Sequence, residues 1–256
     1  MPPETLPLFA VGVAAGVLGA LLGVGGGLLI VPALSLLAGL PIRAAIAASL
    51  VCVCAMSVAS SVIYLRRGRV RLPAAVELQF FSVLGAVTAG LGAGWIPGGP
   101  LFVVFATLLL FTAGQMWPSG GRSIIERLLD RSQWSRPNIA RVAAVGGGIV
   151  SGLLGVGGGI LNTPVLHLVI GLPFATAVAT SAYMIGMTSA AGALVYFARG
   201  DMMTAATTAA MLGTLTGAVP AALGGHRIGA RGLRMAFAGL MVVVSLLMLR
   251  RGLADF

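Results

Sequence analysis

An all-α, polytopic transmembrane bundle of two homologous repeats is the fold class this sequence predicts, and three observations predict it. Hydrophobic residues make up 58% and charged residues 9% of the 256-residue chain, and the mean hydropathy is +1.05, so the bilayer is its main solvent. The stretch Gly23 to Pro32 (GVGGGLLIVP) returns as Gly155 to Pro164 (GVGGGILNTP), an offset of 132 residues (155 − 23) that also relates Gly16 to Gly148, Pro41 to Pro173, Ser49 to Ser181, Tyr64 to Tyr196 and Gly68 to Gly200. This is an internal repeat of about half the chain. Each Gly run, finally, interrupts apolar sequence with poor helix formers that carry no Cβ, and is read as a break inside a membrane-buried helix.

In chain order, Leu6 to Leu22 predicts an apolar approach helix, Gly23 to Gly27 the break, and Leu28 to Ala38 a short second helix ended by Gly39-Leu40-Pro41. Neither part alone covers the ~30 Å of hydrocarbon at ~1.5 Å per residue. Ile42 to Leu65 is long enough to span and ends at the basic cluster Arg66 to Arg71. Leu72 to Gly94 spans next, an uncharged turn from Trp95 to Pro100 follows with its Trp suited to an interface, and Leu101 to Trp117 closes the first repeat. The second repeat runs as Ile139 to Leu154, the break, Ile160 to Ile170, then spans over Phe174 to Ala198, Met202 to Leu223 and Leu233 to Leu249. The domain reading is therefore a first transmembrane repeat over 1–117, a cytoplasmic linker over 118–137 and a second repeat over 138–256.

All sixteen basic residues are Arg and concentrate between apolar runs, so the formal charge of +10 reads as membrane orientation and contact with anionic headgroups. A nucleic-acid partner is not expected, because it calls for a soluble basic face with stacking aromatics. The linker carries Arg122, Arg127, Arg131 and Arg136, with Ile124, Ile125, Leu128 and Leu129 on one helical face and Glu126, Arg127, Asp130 and Arg131 on the other. It predicts a short helix lying on the cytoplasmic surface. No cleavable signal sequence is expected, since Met1 to Thr5 lacks a basic region and the following apolar sequence leads straight into the first Gly run. The 38 glycines suit close helix packing in lipid.

Repeat orientation turns on whether the broken element crosses the membrane or returns to its own side. Crossing gives parallel repeats and puts Arg43, Arg227, Arg231 and Arg234 outside; re-entry gives inverted repeats and puts Arg43, Arg199, Arg250 and Arg251 outside. The arginine rule ties. Inverted repeats are favoured, because discontinuous helices meeting near the midplane recur in transporters built that way.

The chemistry the breaks offer is electrostatic. A helix starting after Gly27 or Gly159 presents unpaired N–H groups and the positive end of its dipole, which attract anions. Two such starts converging would bind a small anion without burying a permanent charge, so Gly25, Gly26, Gly27, Gly157, Gly158 and Gly159 are candidate substrate contacts. Neither run has the strand-to-helix context or the Lys-Ser/Thr ending of a nucleotide-binding loop. Ile30 and Val31 of the first copy are replaced by Asn162 and Thr163 in the second, which point either to substrate hydrogen bonds or to capping and helix packing. Ser181 and Thr188, seven apart, share a stripe on the next span, with Thr180 and Ser49 nearby in pattern; these complete the candidate binding set, the alternative being bonds to backbone.

Other residues carry weaker expectations. Cys52 and Cys54 lie about 200° apart on a helix and form no redox pair. His167 and His226 have no metal-ligand partners at suitable spacing, and no metal or cofactor is expected. Glu77, the acid inside a predicted span, follows the Arg69 and Arg71 cluster and reads as an interfacial pair rather than a proton carrier. Gln79, two residues deeper, faces a polar pathway in one reading.

The paired G-x-G-G-G-x-x-x-x-P-x-L blocks, Gly23 to Leu34 and Gly155 to Leu166, resemble the sulfite exporter TauE/SafE family of membrane permeases, and the similarity covers essentially the whole chain. That resemblance implies a multi-pass transporter of the bacterial inner membrane for sulfite, sulfonates or related sulfur-containing anions. The expected function is a secondary transporter, an exporter by resemblance, holding its anion between the two broken helices; the alternatives are a passive anion channel or a carrier of a non-sulfur organic anion. No nucleophile with a base is visible, so an enzyme is not expected. The expected partners are the small anion and membrane lipid, with a homodimer as a further candidate, and the coupling ion is left open.

Overall fold

The computed structural model describes residues 5–22, 25–116, 136–201, 204–224 and 230–254, and among these there are ten α-helices and no strand. The first repeat comprises α1 (Thr5–Leu22), α2 (Gly27–Leu36), α3 (Ile42–Arg66), α4 (Leu72–Gly92) and α5 (Gly98–Met116). The second comprises α6 (Arg136–Leu154), α7 (Gly159–Pro164), α8 (Phe174–Ala198), α9 (Thr204–Gly224) and α10 (Ala230–Ala254). Five stretches are long and apolar enough to cross a bilayer: α3, α4, α8, Pro137–Leu154 of α6 and Phe237–Ala254 of α10. The first arm of the second break is thus a full-length helix, longer than the sequence reading allows.

Most boundaries follow from local chemistry. The helices α3 and α8 start immediately after Pro41 and Pro173, whose own backbone is extended, at ψ 141° in both, and so stands outside the helix. Helix α5 begins at Gly98, ahead of the expected Leu101, because Pro100 falls in the first turn, where its missing N–H would have no helical acceptor. Pro164 likewise offers no N–H to the turn before it, and the chain continues from α7 as a π-helical turn over Val165–Val169, closed by Ile170 N–H to the Val165 carbonyl at 3.2 Å. Helix α10 runs past the expected Leu249 to Ala254, because Arg251 bonds the Ser35 carbonyl and Gly252 packs on Phe102, so the charged pair is carried on helix. The linker surface helix and His226 lie outside the described residues.

The broken elements fold back on themselves. A Cβ added to Gly26 would sit 2.8 Å from the Ala15 carbonyl oxygen, and one added to Gly19 would sit 2.6 Å from Gly26 N. Helix α2 therefore runs back along α1. The second repeat does the same, with a Cβ on Gly158 falling 2.6 Å from the Gly147 carbonyl oxygen and Gly146 facing Leu161.

At the centre, α3 packs on its repeat counterpart α8, and the two run antiparallel: Leu50 meets Gly192, Ser57 meets Gly186, and the Arg71 N–H just beyond α3 bonds Thr180 near the start of α8. The counterparts α5 and α10 are antiparallel as well, with Ser245 Oγ donating to the Ala106 carbonyl and Gly252 against Gly99. Across the repeats, α1 lies parallel to α9 through Gly12, Gly16, Gly213 and Gly217, and α4 lies parallel to α6 through Gly85, Gly148 and Gly152. At Gly148 a Cβ would stand 2.0 Å from the Ser82 carbonyl oxygen, so the backbones touch as they do in tight membrane helix pairs.

Bonds repeat with the sequence. Tyr64 donates to the Ala20 carbonyl at 3.0 Å and Tyr196 to the Gly152 carbonyl at 2.9 Å, each holding the end of its hairpin's first arm. Arg67 bonds the Ala222 and Leu223 carbonyls, and Arg199 bonds the Gly90 carbonyl, each capping the last turn of the other repeat's fourth helix. The outer surface is apolar, with Phe80 and Leu194 each 68% exposed, as a lipid-facing surface requires.

Candidate functional site

The two Gly breaks meet at the middle of the α3 and α8 crossing. A Cβ on Gly27 would lie 2.2 Å from the Gly155 carbonyl oxygen, and one on Gly25 would lie 2.4 Å from the Val156 carbonyl oxygen. Ser49 Oγ donates to that same Gly155 carbonyl at 2.7 Å. Gly157 rests against Val53 and its counterpart Ile185. Gly25, Gly26, Gly27, Gly157, Gly158 and Gly159 are all buried. The backbone needs glycine twice over here: φ is +83° at Gly25, +90° at Gly157 and +73° at Gly158, a region that favours glycine, and a Cβ would strike the Val156 carbonyl at Gly25, Ile185 and Val53 at Gly157, and the Gly147 carbonyl at Gly158. Neither α2 nor α7 has a side-chain cap at its start.

Asn162 and Thr163 are 3% and 5% exposed. Asn162 fills space that Gly147 leaves open, since a Cβ on Gly147 would come within 2.9 Å of its Oδ1, and its Nδ2 is buried with no hydrogen-bond partner. Thr188 joins a buried cluster: Gln79 Nε2 donates to Thr188 Oγ1 at 3.0 Å, Ser82 Oγ lies 3.0 Å from it, and Thr188 Oγ1 reaches the Met184 carbonyl at 3.0 Å. Gln79 Oε1 is left without a partner. Ser57 and Ser189, again 132 positions apart, both have buried hydroxyls with no partner, and Ser189 flanks Gly157. An unpaired polar atom in a dry interior is costly, so the unpartnered Asn162 on α7, Ser57 on α3, Ser189 beside Gly157 and Gln79 on α4 each mark capacity to hydrogen-bond something else.

Not all expected residues converge there. Thr180 accepts the Arg71 N–H at 3.0 Å and holds the α3 to α4 connection, well along α8 from the breaks. Ser181 is fully buried on that same stretch. Gln79 and Ser82 bond Thr188, and Ser57 and Ser189 leave unpartnered hydroxyls; of these four only Gln79 is singled out by the sequence, and the shared offset of Ser57 and Ser189 was the available signal for that pair. The polar residues are also unevenly shared, because Asn162, Thr163 and Thr188 stand where the first repeat has Ile30, Val31 and Met56.

The remaining candidates have structural partners. Glu77 pairs with Arg141 of α6 at 2.7 Å, with both side chains about half exposed, so its partner comes from the other repeat and not from Arg69 or Arg71. His167 Nδ1 lies 2.7 Å from the Leu172 carbonyl oxygen at the end of the π-helical turn. Cys52 and Cys54 are free thiols. Among the described residues no group of His, Cys, Asp or Glu could hold a metal ion.

The family described as Sulfite exporter TauE/SafE matches residues 8–248. A curated relative from Methanocaldococcus jannaschii, named "Probable membrane transporter protein MJ0441", is 31% identical over 195 residues, covering 74% of this chain and 71% of the relative. No solved structure matches the chain.

Proposed function

The chain belongs to the sulfite exporter TauE/SafE family and is a multi-pass membrane transporter, and from that premise we propose that it exports a small sulfur-containing anion, such as sulfite or an organosulfonate, across a bacterial inner membrane by alternating access. The anion binds where the two Gly-broken hairpins meet, displaced toward the second. The observation that carries this reading is the coincidence of the paired breaks with the unpartnered Asn162 Nδ2, Ser57 Oγ and Ser189 Oγ at the antiparallel crossing of repeat-equivalent helices. Neutral donors suit an anion that must leave again, because they hold it without a counter-charge.

In this conformation the breaks touch, so the site opens only when the two hairpins part. Closure by backbone contact favours a carrier over a standing pore. The fold-back of α2 on α1 and of α7 on α6, with antiparallel α3 and α8, supports inverted repeats. The end of the bundle that holds Arg66, Arg67, Arg69, Arg71 and Arg141 then faces the cytoplasm, and the end that holds Arg43, Arg199, Arg250 and Arg251 faces the periplasm.

The test is binding and flux in purified, reconstituted protein. Sulfite, sulfate, thiosulfate, sulfoacetate and acetate are compared for thermal stabilisation and for movement into vesicles. Selective stabilisation by a sulfur oxyanion, weakened in Asn162→Ala, is the expected result. Stepwise single-channel currents would replace the carrier with a channel, and preference for acetate would remove the sulfur anion.

A further inference from the structure

We propose a second anion site, separate from the breaks, in the cavity of about 560 Å³ at the bundle end where α3 begins and α8 finishes. Its walls bring together Ile42 and Arg43 from the start of α3, Gly98 and Phe102 from α5, Asp201 after α8, and Arg251 from α10. Both arginines are held in place by a backbone carbonyl. Arg43 Nη2 donates to the Ile96 carbonyl at 2.7 Å; Arg251 Nη1 donates to the Ser35 carbonyl, and its guanidinium lies 5.8 Å above the Phe102 ring. A guanidinium has five N–H donors, so one carbonyl leaves most of them unused.

Neither Arg43 nor Arg251 lies within ion-pair distance of a carboxylate among the described residues. The acid of the cavity, Asp201, forms an ion pair with Arg199 at 3.3 Å, although its Oδ2 accepts no hydrogen bond. The cavity therefore holds two anchored cations with no carboxylate of their own among the described residues. Leu40, Ile42 and Phe102 give it an apolar side as well. That combination fits an anion with a short carbon body, a sulfonate or carboxylate head on the guanidinium pair and its carbons on Phe102.

The same cavity accounts for arginines that membrane orientation disfavours. Of the four at this end, Arg43 and Arg251 line it and Arg199 neutralises its acid. The inference stands on this cavity alone and does not require the site at the breaks. A negatively charged lipid headgroup has the same chemistry as a free organic anion, and the experiment separates them.

Sulfoacetate binding is titrated calorimetrically to the full chain in phosphatidylcholine nanodiscs, and retention of phosphatidylglycerol is read by native mass spectrometry from detergent. Wild type, Arg43→Gln, Arg251→Gln, the charge-keeping Arg43→Lys and Arg251→Lys, and Asn162→Ala are compared at matched folded amounts. A free-anion site shows sulfoacetate binding that weakens about tenfold or more in both Gln variants, recovers in part in the Lys variants and survives in Asn162→Ala. A headgroup site shows phosphatidylglycerol retention with the same ranking and no sulfoacetate response. If both ligands bind wild type and the Gln variants alike, or neither binds wild type, the second site does not exist. Loss in Asn162→Ala alone leaves the site at the breaks and overturns this one.

Discussion

Ser49 of the first repeat donates a 2.7 Å hydrogen bond to the carbonyl of Gly155 in the second break, tying one repeat's central helix to the other repeat's hairpin. Both groups are buried. Removing the hydroxyl strands that carbonyl in a dry interior, and Ser49→Ala should destabilise by ~1 to 3 kcal/mol. Ser57→Ala removes a hydroxyl that bonds nothing in this conformation and should leave thermal unfolding in detergent nearly unchanged while weakening anion binding. Equal unfolding temperatures for the two variants would contradict the link.

The Tyr64 and Tyr196 hydroxyls make repeat-related bonds of 3.0 and 2.9 Å to Ala20 and Gly152. Tyr64→Phe and Tyr196→Phe should therefore lower stability by similar amounts, ~1 kcal/mol each, and the double variant by about their sum because the sites are separate. Scanning unfolding on the three variants measures this. A large inequality would mean that the two hairpins are not held alike.

Gly39 and Gly158 both have positive φ, at +65° and +73°, but nothing lies within 4 Å of a Cβ on Gly39, whereas one on Gly158 meets the Gly147 carbonyl oxygen at 2.6 Å. Gly39→Ala should lose only the backbone preference, ~1 to 2 kcal/mol. Gly158→Ala must also push α7 away from α6. Its yield of folded protein in the membrane should fall well below that of Gly39→Ala, and matching yields would show that α7 does not pack tightly on α6.

Gly159→Leu should abolish flux more completely than Asn162→Ala or Thr163→Val, since a branched side chain at the start of α7 covers the N–H groups there and wedges a fully buried position. The two milder variants should each weaken binding by ~0.5 to 3 kcal/mol if their side chains touch the anion. Anion binding and vesicle flux at equal folded amounts give the ranking. Full flux in Gly159→Leu would remove the helix-start mechanism.

Glu77 and Arg141 are 50% and 43% exposed, so solvent screens their pair and Glu77→Gln should change stability by less than ~1 kcal/mol. Transport by Glu77→Gln should keep its dependence on pH, and loss of that dependence would make Glu77 a coupling residue.

The helices were legible because the bilayer imposes long apolar runs, and α8 follows its sequence expectation over Phe174–Ala198 residue for residue. The repeat was legible as well, since GVGGG occurs twice at one offset and glycine is what those backbone angles and contacts require. The polar group at the crossing was legible only in part. Asn162 and Thr188 stand out against Ile30 and Met56, but the Gln79 to Thr188 bond joins residues 109 apart, and no helical period links them. The contacts of Gly26 with Ala15 and of Gly158 with Gly147 lay the breaks back on the helices before them, which supports a return to the same side of the membrane. Arginine counting could not decide it, because both paths leave four arginines on the disfavoured side. The sequence by itself thus determined an all-helical membrane protein of two copies, each broken at a glycine run, through composition and spacing alone. Only the tertiary structure decided that the hairpins fold back and meet, and that Arg43 and Arg251, from opposite ends of the chain, share one cavity, because backbone contacts between distant glycines and carbonyls have no signature along the sequence.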